Sequence, residues 1–242
     1  MDCGYERGLA IVQATLKPLV WENAFFGCHS ALLELQGDTA LDVGLLDSYG
    51  LVQVKVLAQQ SAELDALTAL GFRLVEGEAD CVLGITPVER PSGIRIARAE
   101  HIPALRQAAE EAFIWSRFRA PWYAPGDSGR FYAQWVENAV LGTFDHQCLL
   151  AVDENGTPQG FVSLRELGDG TARIGLLAVL PDAQGLGIGQ RLMTAANDWC
   201  RARRLTRLHV ATQLGNIAAL RLYLRCGGVI ERTAYWLYRE TP

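Results

Sequence analysis

The sequence predicts an α+β fold with a mixed central sheet, preceded by a smaller α/β domain. Two prolines and a glycine fall within residues 87–93, where neither a helix interior nor a central strand would accept them, and this segment is the predicted linker. After it, three predicted antiparallel strands come before a strand-helix-strand-helix-strand succession, which is typical of a mixed sheet. We therefore predict a first domain at residues 1–86 and a second at 94–242.

The composition is that of a globular protein that binds a small molecule. Of 242 residues, 50% are hydrophobic and 20% are charged, and the formal net charge of −5 includes no basic block. This pattern argues against a nucleic-acid or anionic-membrane surface. No apolar run is long enough to cross a bilayer and the first residues do not resemble a signal peptide, so we expect a cytoplasmic protein.

The six cysteines, from Cys3 to Cys226, predict neither a metal site nor a disulfide framework. They lie far apart, without a Cys-x-x-Cys pair or a histidine at zinc-ligand spacing. We expect reduced thiols and no metal.

Hydrophobic periodicity and turn residues define the elements of the second domain. A loop rich in arginine and aromatic residues separates its first two helices, and Asn155-Gly156 marks a hairpin turn. The predicted strands are 94–98, 147–152, 159–165, 172–179, 207–212 and 229–238, and the predicted helices are 101–113, 128–141, a segment from a glycine loop to about residue 203, and 216–225.

The first domain shows fewer clear patterns. A strand at 51–56, a helix at 62–70 and a strand that follows Gly71 resemble the helix-glycine-strand arrangement at residues 216–231. Either the chain contains a partial internal duplication, or both segments are common βαβ units. The first domain has no glycine-rich loop, so we do not expect it to bind a cofactor of its own.

The strongest functional indication is the glycine loop between a predicted strand and a predicted helix. Gly185, Gly187 and Gly189 lie within five residues and open a helix with apolar positions at helical spacing. Backbone N–H groups at a helix N-terminus, supported by the helix dipole, bind the negative charge of a pyrophosphate, and glycines let phosphates approach the backbone. The pattern therefore predicts a phosphate-binding loop.

Two common classes of phosphate-binding loop fit this segment less well. A nucleoside triphosphatase would need Lys followed by Ser or Thr where this chain has Gln190 and Arg191. A dinucleotide fold would need Gly-x-Gly-x-x-Gly and an acidic residue at the end of the next strand, which here ends at Thr212. A tight turn with packing glycines is the structural alternative.

The loop and a second motif resemble the GNAT superfamily of N-acetyltransferases. The first motif comprises Val179, Pro181, Gln184, Gly185, Gly187, Ile188 and Gly189, and the second comprises Asn216, Ala219, Tyr223 and Gly227. The resemblance implies a GNAT fold over the second domain, a partial GNAT-like first domain, and acetyl-CoA as co-substrate. The implied cofactor contacts are Leu177, Ala178, Val179, Gln184, Gly185, Leu186, Gly187, Ile188, Gly189 and Asn216.

Physical chemistry supports the second motif. Asn216 is a good helix N-cap, Gly227 is a good helix stop, and Tyr223 lies seven residues after Asn216 on the same helix face. A neutral tyrosine, with a reference pKa of about 10, can protonate the thiolate that leaves during acyl transfer. Tyr223 is therefore the predicted catalytic acid, and an aromatic core residue is the alternative.

Longer segments resemble the dTDP-fucosamine acetyltransferase family within this superfamily. They lie in both predicted domains, at residues 21–27, 116–125, 129–139, 142–148, 173–178 and 234–238. This resemblance implies acetylation of the 4-amino group of a nucleotide sugar, dTDP-4-amino-4,6-dideoxygalactose, as a step toward enterobacterial common antigen. It also implies a homodimer.

An arginine-rich and aromatic segment suits a nucleotide-sugar substrate. Arg119 and Arg130 can bind phosphates, and Trp122 and Tyr123 offer faces for a base or a hexose. The same residue types equally form a hydrophobic cleft or a dimer interface. The arginines favour a nucleotide sugar over a polyamine, and an intact second motif argues against a non-catalytic acyl-CoA sensor.

The general base has no clear candidate in the sequence. No carboxylate lies in the predicted strand 172–179, where many GNAT enzymes carry a base, so water, a backbone carbonyl or a group elsewhere must accept the proton. His146, beside Asp145, is either that base or a hydrogen-bonded loop histidine. We expect direct attack of a neutral amine on the thioester, with the backbone N–H near Ala178 polarising the carbonyl.

Overall fold

The computed structural model describes residues 12–36 and 40–241, so Cys3 and the beginning of the predicted first domain lie outside the described residues. The first elements are β1 (Thr15–Pro18), α1 (Val20–Phe26), β2 (Ser30–Glu34), α2 (Val43–Leu46), β3 (Leu51–Leu57), α3 (Ser61–Ala69) and β4 (Arg73–Gly84). They continue with β5 (Ile94–Ile96), α4 (Ile102–Ala112), α5 (Asp127–Leu141), β6 (Gln147–Val152), β7 (Pro158–Glu166), β8 (Thr171–Val179), α6 (Ile188–Ala202), β9 (Arg207–Gln213), α7 (Ile217–Arg225) and β10 (Val229–Glu240).

The chain forms two compact units whose limits differ from the predicted linker. One unit comprises the residues up to Glu78 together with those from Thr233 onward, and the other comprises Ala79–Arg232. The chain therefore crosses from one unit to the other within β4 and again within β10. The predicted linker at 87–93 lies inside the second unit, because proline and glycine mark the end of a strand here and not the limit of a compact unit. The assignment of residues 1–86 as a partial GNAT-like domain stays a prediction.

The first unit contains a small mixed sheet. Strand β2 pairs in parallel with β3, while β1 pairs antiparallel with β2, and residues 234–240 of β10 pair antiparallel with β3. Alternating valines of β3, Val52, Val54 and Val56, are fully buried in this unit's core, with Leu67 of α3 beside them. The predicted strand at 51–56 and helix at 62–70 are present, whereas β1, α1 and β2 were not predicted.

The second unit contains the glycine loop and the second motif, which the sequence indicates as functional. Strands β5 to β8 form an antiparallel series, and β9 adds to β8 in parallel. Helix α6 packs its apolar face, including Leu192 and Trp199, into this unit's core. The α+β class with a mixed sheet is confirmed, and the predicted strands and helices of this unit agree with the structure to within a few residues. The last predicted strand, 229–238, also agrees with β10, but residues of β10 from Thr233 onward belong to the first unit.

Within the described ranges, no helix is both long and apolar enough to cross a membrane.

Candidate active site

The glycine loop connects the end of β8 to the start of α6. A short 3-10 turn, Pro181–Ala183, follows the strand, and Gly187 is the N-cap of the helix. Gly185 has a φ of +78° and Gly187 a φ of +77°. Residues other than glycine rarely adopt this left-handed backbone conformation, so the path of the loop favours glycine at both positions.

The backbone N–H groups of this loop lack acceptors among the described residues. Arg191 donates its N–H to the carbonyl of Gly187, at 3.0 Å, but the N–H groups of residues 185–190 donate to no acceptor in the described part of the chain. Unpaired N–H groups at the positive end of a helix dipole bind anions, and phosphates in particular. The loop therefore has the geometry of a pyrophosphate site.

Gly189 serves packing instead. A Cβ placed on Gly189 would lie 3.0 Å from Cδ2 of Leu222 in α7, which is tighter than about nine in ten real Cβ contacts. A Cβ on Gly185 or Gly187 would meet nothing within 4 Å. Of the three glycines, one lets α6 and α7 approach each other and two shape the loop. The packing alternative thus holds for Gly189.

Strands β8 and β9 are paired at the beginning of both strands and separate toward their ends. Residues 171–174 of β8 pair with residues 207–210 of β9. Residues 177–179 of β8 pair with β7, and residues 175–179 have no registered partner in β9. Within these described strands, the edge of β8 that faces β9 is therefore open from Gly175 to Val179. An open edge offers backbone N–H and C=O groups to an extended, amide-containing ligand, as in β-strand addition.

A β-bulge lies where this opening begins. Val162 of β7 pairs with Leu177 and Leu164 pairs with Ile174, so two residues of β8, Gly175 and Leu176, oppose the single Ser163. The Oγ of Ser163 accepts the N–H of Leu176 at 2.9 Å. A bulge of this kind redirects the backbone groups that follow it, here those of residues 177–179.

Tyr223 and Asn216 lie on α7, the helix that follows β9. Asn216 is the N-cap, and its Oδ1 accepts the N–H of Ala219 at 3.2 Å. Tyr223 is 5% exposed and belongs to the core cluster that also includes Ile174 of β8 and Val210 of β9. Burial, and in second place the nearby Cys81, raises the pKa of the Tyr223 hydroxyl well above its ordinary value. The phenol therefore stays protonated at physiological pH.

The arginine-rich and aromatic segment is held by its own contacts. The guanidinium of Arg119 lies 5.0 Å from the ring centroid of Trp122, and Arg119 donates to the carbonyl of Ala120 at 3.0 Å. Tyr123 is buried and packs edge-on against Phe118, with ring centroids 5.3 Å apart. The structure thus brings Arg119 and Trp122 together at the surface and places Tyr123 in the packing beneath them.

Arg130 is anchored at the start of α5. It forms an ion pair of 2.6 Å with Asp127, which is itself mostly buried and accepts the N–H of Ala124 at 3.0 Å. Arg130 remains exposed to solvent. If the guanidinium of Arg130 binds a phosphate, it does so while it is also paired with Asp127.

The comparison with family models decides the family. The model described as "Acetyltransferase (GNAT) family" matches residues 102–228, which include β8, the glycine loop and α7. The chain belongs to the GNAT acetyltransferase family. It is accordingly an acetyltransferase.

Curated relatives and solved structures extend this result. The chain is 53% identical over 229 residues to a dTDP-fucosamine acetyltransferase of Escherichia coli O6:H1, covering 94% of this chain and 99% of the relative. It is 26% identical to a mycothiol acetyltransferase of Saccharopolyspora erythraea, over 75% of this chain and 53% of that protein. A GCN5-related N-acetyltransferase from Sphaerobacter thermophilus shares the fold, with a TM-score of 0.64 and 19% identity over 94% of this chain and 76% of its own.

Within this GNAT domain, the structure also places residues that the sequence left uncertain. His146 is exposed, and its Nδ1 accepts the N–H of Glu166 at 2.9 Å, as the hydrogen-bonded alternative predicts. Its neighbour Asp145 is 1% exposed and is hydrogen-bonded to Ser163 at the bulge. No local sequence pattern indicates the position of Asp145, because it depends on a contact with Ser163, 18 positions later in the chain. In the described ranges, no group of three or more metal-binding side chains is assembled.

Proposed function

We propose that this chain transfers the acetyl group of acetyl-CoA to the 4-amino group of dTDP-4-amino-4,6-dideoxygalactose, a step toward enterobacterial common antigen. The observation that carries the proposal is the 53% identity to a dTDP-fucosamine acetyltransferase over nearly the whole of both chains. The geometry of the second unit supports it, because a phosphate-binding loop, an open strand edge and a protonated tyrosine occur in one compact unit.

Acetyl-CoA would be held mainly by the backbone. The N–H groups of residues 185–190, which have no acceptor among the described residues, suit its pyrophosphate. Gln184, Leu186 and Ile188 would contribute through their place in this loop, since the side chain of Ile188 packs in the core. The open edge of β8 at residues 177–179 suits the amides of the pantetheine arm, which would run along it as an added strand. This division supports the cofactor contacts predicted from the sequence on β8 and the loop, and a contact with Asn216, the N-cap of α7, stays a prediction.

The chemistry proposed is direct acyl transfer. The neutral amine attacks the thioester carbonyl, the new C–N bond forms, and the C–S bond breaks with its electron pair on sulfur. The backbone N–H groups after the bulge would stabilise the oxyanion that forms on the carbonyl. Tyr223, kept protonated by burial, would donate its proton to the leaving thiolate.

The acceptor would lie against the segment that contains Arg119, Trp122, Tyr123 and Arg130. Exposed guanidinium groups suit a nucleoside diphosphate, and the face of Trp122 suits a planar base. An acidic pocket, which a polyamine would require, is not what these residues provide.

The test is an assay of free thiol released from acetyl-CoA with a panel of acceptors. The panel should include dTDP-4-amino-4,6-dideoxygalactose, its gluco epimer, UDP-linked amino sugars, spermidine and an aminoglycoside. We expect the highest kcat/KM with the dTDP-linked galacto sugar. A preference for spermidine or the aminoglycoside would indicate an acetyltransferase for another small amine, and acetyl-CoA binding without any transfer would indicate an acyl-CoA sensor.

The oligomeric state forms a separate part of the proposal. The homodimer implied by the family resemblance is tested by sedimentation equilibrium, for which the expected mass is twice the 26.5 kDa of the chain. A single species at the monomer mass would contradict it.

A further inference from the structure

Gly175 on β8 has no side chain, and this leaves room for the carboxylate of Asp145, a residue that precedes β6. A Cβ placed on Gly175 would collide with the carboxylate of Asp145 and would lie 2.8 Å from Oγ of Ser163. The carboxylate of Asp145 therefore occupies the space that a side chain at position 175 would take. Strand β8 has no carboxylate of its own, and Asp145 supplies one at the point where β8 and β9 begin to separate.

Asp145 is held in one orientation. Its Oδ2 accepts the hydroxyl of Ser163 at 2.6 Å and the indole N–H of Trp135 at 2.9 Å. Ser163 in turn accepts the N–H of Leu176 at 2.9 Å, so the carboxylate is linked to the bulge of β8 through one hydroxyl. Two donors on the same oxygen fix the plane of the carboxylate and the direction of its other oxygen.

The other oxygen, Oδ1, is buried and has no hydrogen-bond partner among the described residues. In the part of the chain that the structure describes, no lysine, arginine or histidine forms an ion pair with Asp145. Cys148 lies near Asp145, and its pKa is raised by burial first and by the charge of Asp145 second, so that it stays a neutral thiol. A buried carboxylate oxygen without a donor is unfavourable unless a ligand provides one.

We propose that Asp145 is the general base of the acetyl transfer. The acceptor amine donates an N–H to Oδ1 while its lone pair points at the thioester. As the C–N bond forms, the nitrogen gains positive charge, the N–H bond breaks and the proton passes to Oδ1. The proton that Tyr223 gives to sulfur is balanced by the one that Asp145 takes, and both residues return to their starting states through exchange with water after product release.

This inference rests on the proposed function, and the test begins with Asp145→Asn. The asparagine keeps an oxygen that can accept from Ser163 and Trp135, so the fold and acetyl-CoA binding should persist. We expect kcat to fall by about 10²-fold or more, the scale of a lost general base. The dissociation constant of acetyl-CoA, measured by calorimetry, should change less than about twofold, because this side chain makes no contact with the cofactor in the proposed arrangement.

Two further variants separate proton transfer from a purely structural role. Asp145→Ala removes the carboxylate, and added formate should restore part of its turnover by occupying the space left. Ser163→Ala breaks the link between Asp145 and the bulge but keeps the carboxylate, so its loss in kcat should be much smaller than that of Asp145→Asn. Thermal unfolding of each variant checks that it is folded.

The results that would overturn the inference are distinct from those that would overturn the function. Wild-type transfer combined with near-normal turnover of Asp145→Asn would exclude Asp145 as the base and leave the proposed function intact. Equal losses in Asp145→Asn and Ser163→Ala, with no rescue of Asp145→Ala by formate, would show that Asp145 only holds β8. A wild-type protein that acetylates no nucleotide-sugar amine would overturn both proposals.

Discussion

The glycine loop and the proposed acceptor segment of the second unit present different kinds of group to a ligand. The loop at residues 184–190 presents backbone N–H groups, and its shape depends on glycines in the left-handed region. The segment at residues 116–130 presents side chains, and these contact one another: Arg119 lies over Trp122, and Arg130 pairs with Asp127. The first region would recognise a group common to all coenzyme A esters, whereas the second would recognise one acceptor.

This difference affects how each region responds to mutation. Backbone donors are lost only by a change to proline, so the loop is sensitive chiefly to added charge or to changes at its glycines. Side chains that hold one another can be removed singly, but each removal also affects the partner that is left. Variants of Tyr223, of the loop and of the proposed acceptor segment should therefore differ from the wild type in different kinetic parameters.

A Tyr223 variant tests whether the catalytic step can be impaired without a change in the binding of either substrate. Tyr223→Phe keeps the ring in the core but removes its proton, so kcat should fall by about 10²-fold or more, which is typical of a lost general acid. Neither the acetyl-CoA dissociation constant nor the acceptor KM should change appreciably. An acetyl thioester with a more acidic thiol should recover part of the rate. A variant with normal turnover, or one that is slow because it no longer binds acetyl-CoA, would show that the phenol has a packing or binding role.

Gly187 tests the loop. Gly187→Asp should weaken acetyl-CoA binding by at least about tenfold, or roughly 1.4 kcal/mol, because the carboxylate would lie where phosphates approach the backbone. Gly187→Asn is the matched control, since asparagine has the same shape and the same tolerance of the left-handed region but no charge. Calorimetry should find the larger loss for aspartate. Equal affinities for the two variants would indicate that no phosphate binds at this loop.

Arg119 and Arg130 test the acceptor segment. Replacing either by alanine should raise the acceptor KM by roughly tenfold, as expected for a lost charge-assisted hydrogen bond, while acetyl-CoA binding is unchanged. Arg130→Ala should lower the melting temperature more than Arg119→Ala, because it leaves the mostly buried Asp127 without its ion pair.

Arg201 is the matched control for Arg130. It forms the same kind of pair with an aspartate three residues earlier, Asp198, and its side chain is 53% exposed against 56% for Arg130. It lies near the C-terminus of α6, so Arg201→Ala should leave both substrates' kinetics unchanged. An equal rise in KM for Arg201→Ala would mean that the effect at Arg130 reflects general charge and not a site.

The loop region could be predicted from the sequence more completely than the rest of the site. Glycines, a strand before them and an apolar helix face after them are local features, so residues 172–203 could be interpreted without the fold. The placement of Asp145 could not be predicted in this way, because it depends on contacts with Gly175 and Ser163, which only the folded sheet brings beside it. The limits of the two compact units could not be predicted for a related reason: a strand such as β4 has no local pattern to show that its two parts belong to different units.

The most direct test of the central claim is amide hydrogen exchange with and without acetyl-CoA. If the backbone of the second unit holds the cofactor, acetyl-CoA should slow exchange at the amides of residues 177–179 and 185–190, the open edge of β8 and the loop. Free coenzyme A should protect the loop equally, because it carries the same pyrophosphate. Saturating acetyl-CoA that leaves these amides unprotected, or that protects residues of the first unit such as 51–57 instead, would contradict the claim.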